Sequence, residues 1–187
     1  MKTAIALSLV GAGLVLGAVL AQEPGKGEMD PMEMLKPPAP VQDPKLDWFV
    51  GTWTGKTTFM GAEFDGTTTY EWALGHQWLM STETYRGGPG PYESIGFFRP
   101  KDGAYQIAWF DNHGSTGTAT GKWVGEEFHS SGKDAEMGDS RGVMKKLGAD
   151  SMSWAFEADP DGDGKFDPMG MGTMRRTGKA AGASGTR

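Results

Sequence analysis

From Leu46 onward the apolar residues recur at every second position, in short runs separated by glycine, asparagine and aspartate. A period of two is the pattern of strands with one buried face, because alternate side chains point to opposite sides of a sheet. Helical periodicity is absent from this part of the chain. Ten strands are predicted, at residues 52–60, 64–74, 77–86, 92–99, 104–111, 115–122, 126–131, 140–147, 151–158 and 169–177. Between them lie Gly61, Gly75-His76, Gly87-Gly88-Pro89-Gly90, Lys101-Asp102-Gly103, Asn112-His113-Gly114, Gly125 and Gly148-Ala149-Asp150. Most of these supply the residues that tolerate positive φ in tight hairpins.

Alternation also assigns faces. Tyr70, Trp72 and Leu74 share one side of the second segment, Tyr105, Ile107 and Trp109 one side of the fifth, and Met152, Trp154 and Phe156 one side of the ninth. In the third segment Trp78 and Met80 compete with Leu79 and Tyr85 for the inner side, and the pattern leaves both open. A single antiparallel sheet of ten strands with one apolar face must curl, and closure buries that face while removing both edges. The expected fold is therefore all-β: one up-and-down antiparallel barrel of about ten strands, preceded by a short helical turn.

The leading segment has a different pattern. Lys2 precedes an apolar and small-residue run at residues 4–20, followed by Ala21 and the polar Gln22-Glu23-Pro24. This is the layout of a secretory signal peptide over residues 1–21, with cleavage after Ala21. The rival, an uncleaved membrane anchor, has a run at the short end of what spans a bilayer. Residues 22–44 read as a leader rich in Pro and Met, in which Asp30 and Pro31 start a helical turn that Pro37 stops. The barrel domain is expected over 45–177, and the small polar tail 178–187 is expected to fray. The protein is thus expected to be exported from a bacterial cell, periplasmic or extracellular, with no stable membrane insertion after cleavage.

Composition narrows the function. Among 187 residues there are 18 Lys and Arg against 24 Asp and Glu, a net charge of −6, without any basic block. Neither nucleic acid nor anionic lipid has a counterpart on such a chain. The absence of cysteine removes disulfides, thiolate metal sites and cysteine nucleophiles. Seven Trp, nine Phe and four Tyr provide a core, and 30 glycines point to frequent turns.

The segment Leu46-Asp47-Trp48-Phe49-Val50-Gly51-Thr52-Trp53-Thr54-Gly55 puts a short apolar helical turn directly before a Gly-x-Trp-x-Gly strand. It resembles the opening of a calycin barrel, shared by lipocalins, fatty-acid-binding proteins and nitrobindins. Leu74-Gly75-His76-Gln77-Trp78-Leu79, Tyr85-Arg86-Gly87 and Trp109-Phe110-Asp111-Asn112-His113-Gly114 extend the likeness. Together these motifs resemble an uncharacterised bacterial family of lipocalin-like barrels, a domain of unknown function. The resemblance implies a barrel with an internal cavity, in which Trp53 closes the floor, and it implies no reaction. The haem-binding nitrobindin branch would require a histidine from the later strands, and none follows His129.

Asp159-Pro160-Asp161-Gly162-Asp163-Gly164-Lys165-Phe166-Asp167 begins like a calcium loop, with Asp159, Asp161, Asp163 and Asp167 as ligands and glycine at the sixth position. Its twelfth position is Gly170 where a bidentate Glu belongs, so calcium would bind weakly. The alternative is a polar hairpin loop whose Asp and Gly serve turn geometry. Met29, Met32, Met34, Met169, Met171 and Met174 have spacings that suit Cu(I), although methionine also fills irregular interiors without metal. Alternation places Met169 and Met171 on one face and Met174 on the other.

Gly-x-Ser-x-Gly, phosphate-binding loops and dinucleotide fingerprints are all missing. His76 and His113 lie in turns, while His129 lies within a strand and faces either way. Glu71, Glu83 and Arg141 are charges in mid-strand, and any of them that points inward would anchor a ligand. The leading expectation is a binder of a small apolar molecule, its cavity lined by Tyr70, Trp72, Trp78, Phe97, Trp109, His129 and Trp154. Two alternatives stand beside it. One is an enzyme using an inward His129 and a carboxylate as acid and base; the other is a structural or interaction protein with a solid core.

Overall fold

Asp43 and Pro44 open the first helix in the way helix starts are built. The Asp43 carboxylate accepts from the amides of Lys45 (2.9 Å) and Leu46 (3.1 Å), and Pro44 occupies the first helical position of α1, Pro44–Asp47. The computed structural model describes residues 35–178. The signal peptide read at 1–21, the turn read from Asp30 as far as residue 34, and the tail beyond Gly178 lie outside the described residues, as do Met29, Met32 and Met34.

After α1 come ten strands: β1 Gly51–Phe59, β2 Ala62–Ala73, β3 Trp78–Arg86, β4 Tyr92–Lys101, β5 Ala104–Asp111, β6 Thr116–Val124, β7 Glu127–Asp134, β8 Gly138–Gly148, β9 Ser151–Asp159 and β10 Asp167–Gly178. Each pairs antiparallel with its chain neighbours, and β1 pairs with β10 to close the barrel. The fold expected from alternation is the fold observed. Closure leaves neither edge of the sheet exposed.

The turn between β2 and β3 shows why these junctions carry their residues. Leu74, Gly75 and His76 adopt φ of 52°, 67° and 64° in succession, and His76 stacks on Trp72 with ring centres 4.2 Å apart. The residues preceding α1 are fastened there too: the Val41 amide donates to the His76 carbonyl (2.9 Å), and Gln77 Nε2 donates to the carbonyls of Pro38 and Ala39. Among the described residues no helix is long and apolar enough to cross a membrane.

One end of the barrel is a packed floor. Leu46 and Phe49, from α1 and the turn after it, meet Trp53, Tyr70, Leu79, Met152 and Met174 from the strands, all buried. α1 is held across this end by two carboxylates, since Trp72 Nε1 donates to Asp47 (2.8 Å) and the Tyr105 hydroxyl to Asp43 (3.0 Å). Many of the glycines lie in strands rather than turns. Gly121 on β6 lies directly beneath the Phe128 ring and Gly117 beneath Trp109, so that a Cβ at either would collide with the ring. Large inward rings fit inside a ten-strand barrel because the neighbouring strand gives up its side chain.

Candidate functional site

Above the floor the barrel is hollow. A cavity of about 1130 Å³ runs from Tyr70, Phe98, Phe128 and Met152 toward the opposite end, where Met60, Pro89, His113, Met137 and Pro160 ring its opening. Its size exceeds the roughly 300–1,000 Å³ usual for small-molecule sites. A solid barrel core is therefore not what these residues build.

Register decides which side chains reach the cavity. On β3, Ser81, Glu83 and Tyr85 line it and Leu79 lies in the floor, which resolves the face that alternation left open. Trp78 and Met80 consequently face outward. On β4, Tyr92, Ser94, Gly96 and Phe98 line it, so Phe97 points outward and meets Trp78 edge to face at 6.4 Å. Of the residues expected at the cavity, Tyr70, Trp109 and Trp154 border it. Trp72 belongs to the floor and its hydrogen bond to Asp47, while Trp78 and Phe97 lie outside. Tyr85, Tyr92, Phe98, Phe128 and Met144 also line the cavity, though alternation alone did not single them out.

His129 is on the outer face of β7. Its Nε2 lies 3.0 Å from the Glu127 carboxylate, whose other oxygen accepts from Lys145 Nζ at 2.9 Å. Lys145, and after it His129, hold the Glu127 carboxyl below the usual carboxylate range. A histidine and a carboxylate are thus within reach of each other, but away from the cavity. The acid–base reading that needed His129 inside loses that residue.

The mid-strand charges separate in the same way. Arg141 donates to Glu157 and lies with its guanidinium 4.3 Å from the Phe166 ring centre. Glu71 alternates with the inward Tyr70 and so faces outward. Glu83 points in. Burial pushes its carboxyl above the ordinary value of 4.5, and hydrogen bonding with the Tyr85 and Ser94 hydroxyls offsets part of that rise. Burial likewise raises the Tyr70, Tyr85 and Tyr92 hydroxyls, and the Glu83 charge raises all three further.

An acid whose folded pKa is raised stabilises the fold below its unfolded value and loses that contribution as pH rises through the folded value. Relative to Glu83→Gln, the wild-type protein should therefore lose stability as pH climbs from 4.5. Thermal melts should show Glu83→Gln to be the more stable form at pH 8, with the gap closing as pH falls toward 4.5. Equal melting temperatures across that range would place Glu83 in water.

In the loop between β9 and β10, one carboxylate oxygen from each of Asp159, Asp161 and Asp163 falls within 4.8 Å of the others. Asp167 is not in this group; it begins β10, opposite Ala158. All three carboxylates also accept hydrogen bonds from the backbone. Asp159 accepts from the amides of Asp163 (3.1 Å) and Gly164 (2.9 Å), Asp161 from Asp163 (3.2 Å), and Asp163 from Lys165 (2.8 Å). Lys165 Nζ also reaches Asp163 at 2.5 Å, which with the Lys165 amide holds that carboxyl low. These bonds are the turn-forming role that Asp and Gly were also expected to fill. At the start of β10 a register shift between Pro168 and Gly170 breaks the alternation. Met169 thereby borders the cavity while Met171 is exposed, in place of the shared face expected for the two.

The fold has a counterpart among solved structures. The crystal structure of Rv2717c from M. tuberculosis superposes with a TM-score of 0.60 at 15% sequence identity, over 73% of this chain and 99% of that one. The likeness lies in the barrel architecture. No family model matches the sequence, and no curated protein matches it.

Proposed function

We propose that this chain is an exported, lipocalin-like barrel that binds a small, largely apolar molecule in its interior. The observation that carries the reading is the hollow above the floor, walled by aromatic and aliphatic side chains and open at one end. Burying ligand carbon there removes apolar surface from water at about 25 cal/mol per Å², and the inward hydroxyls and carboxylate fix its orientation. The Gly-x-Trp opening beneath α1 and the superposition on Rv2717c support the lipocalin-like part of the proposal as likeness of fold. The apolar run at residues 4–20 supports export.

Trp109 and Trp154 border the cavity, so 12-bromododecan-1-ol, whose bromine quenches indole emission, reports occupancy. Titration should quench tryptophan fluorescence saturably, with one site and a micromolar Kd, near −8 kcal/mol. Ser130 lines the cavity, and its cross-strand neighbour Gly142 presents no side chain, which leaves room for a ring. Ser130→Trp should fill the space and weaken binding by about tenfold or more, roughly 1.4 kcal/mol. Quenching that never saturates, or that is the same in Ser130→Trp, would count against an interior site.

A further inference from the structure

We propose that the ligand is a cationic amphiphile, an apolar chain or ring system ending in an ammonium group that docks on Glu83. This deepens the binding function proposed above and rests on it. Glu83 lies midway along β3, with Thr68 and Ser94 as its cross-strand neighbours, and its side chain faces the cavity. No cation answers it. Of the described residues bordering the cavity only Arg141 and His113 are basic. The Arg141 guanidinium is taken by Glu157 and Phe166, and His113 lies out at the rim, stacked on Tyr92 at 6.0 Å.

The surroundings favour positive charge over negative. Asp111 and Asp134 also border the cavity, toward its opening. Each accepts backbone amides of its own turn: Asp111 those of His113 and Ser115, Asp134 those of Glu136 and Met137. Both charges are thereby fixed in place. Tyr70, Tyr85 and Tyr92 all feel the Glu83 charge, and the rings of Tyr85 and Tyr92 are 5.9 Å apart. Phenol rings around a carboxylate attract an ammonium group through their faces as well as through the charge. A carboxylate ligand would meet like charges at Glu83, Asp111 and Asp134, and nothing on the wall would neutralise it. The net charge of −6 adds long-range attraction for cations.

Dodecylamine, dodecan-1-ol and dodecanoic acid share one chain and differ only in the head, so isothermal titration of all three separates cavity from head group. At pH 7.5, below micelle formation, the amine should bind at least about tenfold more tightly than the alcohol, and the acid most weakly. In Glu83→Gln the advantage of the amine over the alcohol should fall to within about twofold. Acid binding as tightly as amine in the wild-type protein overturns the inference without recourse to any variant. An amine advantage that survives in Glu83→Gln overturns it as well, since general surface charge then explains it. If the alcohol binds in either case, the cavity function stands alone; if none of the three binds, both fall.

Discussion

Trp53→Ala should lower the free energy of unfolding by about 3–5 kcal/mol, the range for removing a large buried aromatic side chain. Trp53 is 0% exposed and forms the centre of the floor. Its indole N–H donates to the Phe49 carbonyl at 2.6 Å, and its ring lies against Trp48 with centres 5.0 Å apart. Truncation opens a void between α1 and the strands and leaves the Phe49 carbonyl without its donor. Against a typical total of about 5–15 kcal/mol, such a loss is a large fraction of stability. Urea denaturation measures it directly. Trp109→Ala should cost less, because its ring borders empty space on one side. If Trp53→Ala costs no more than Trp109→Ala, the packed end has been misplaced.

Arg176→Ala should destabilise by about 1.5–3 kcal/mol, the range for charge-assisted hydrogen bonds lost from a partly buried site. Arg176 donates to the carbonyls of Val50 and Trp48 (2.6 Å from the latter) and to Asp150 at 2.9 Å. Its guanidinium also lies 4.2 Å from the Trp53 ring centre. One planar group thus ties the end of β10 to the turn between α1 and β1 while covering the floor tryptophan. Arg176→Lys keeps the charge and loses the fork, so it should recover less than half of the deficit. Full recovery by lysine in the same denaturation series would reduce the role of Arg176 to charge alone.

The architecture was legible because hairpin chemistry recurs along the chain. Every strand was anticipated, and no end was misplaced by more than three residues, the largest difference being β7, read to 131 and observed to Asp134. Glycine, aspartate and asparagine stand at most junctions, and they fix where strands stop whatever the packing. Face assignment was legible only where one side is apolar and the other polar. Met152, Trp154 and Phe156, which alternate with Ser151, Ser153 and Glu157, meet that condition. In β3 and β4 the outer face also carries large apolar residues, Trp78, Met80, Ile95 and Phe97, so parity within one strand is ambiguous. Pairing with β2 supplies the missing information, because Leu79 sits opposite the inward Trp72.

The cavity wall was harder to read for a related reason. Its inward positions alternate large rings with glycine and serine, as in Gly117 and Gly121 beneath Trp109 and Phe128, so hydrophobicity underestimates the inner face. Glycines that look like turn residues in composition are the space into which rings fold. Glu83 stands out in the sequence as a mid-strand charge, and its direction follows once Leu79 fixes the parity of β3. Arg176 gave no signal in the sequence, since the acceptors that tie it to the floor, the Trp48 and Val50 carbonyls, are backbone groups more than a hundred residues away.

The hollow interior is the claim on which binding, ligand class and the role of Glu83 all depend. Anomalous diffraction from crystals grown with 12-bromododecan-1-ol locates the ligand without reference to affinity or fluorescence. The bromine peak and chain density should lie inside the barrel, among Ser81, Phe98, Ser130 and Trp154. Bromine found only on the outer surface, with that interior filled by protein side chains, would contradict the account.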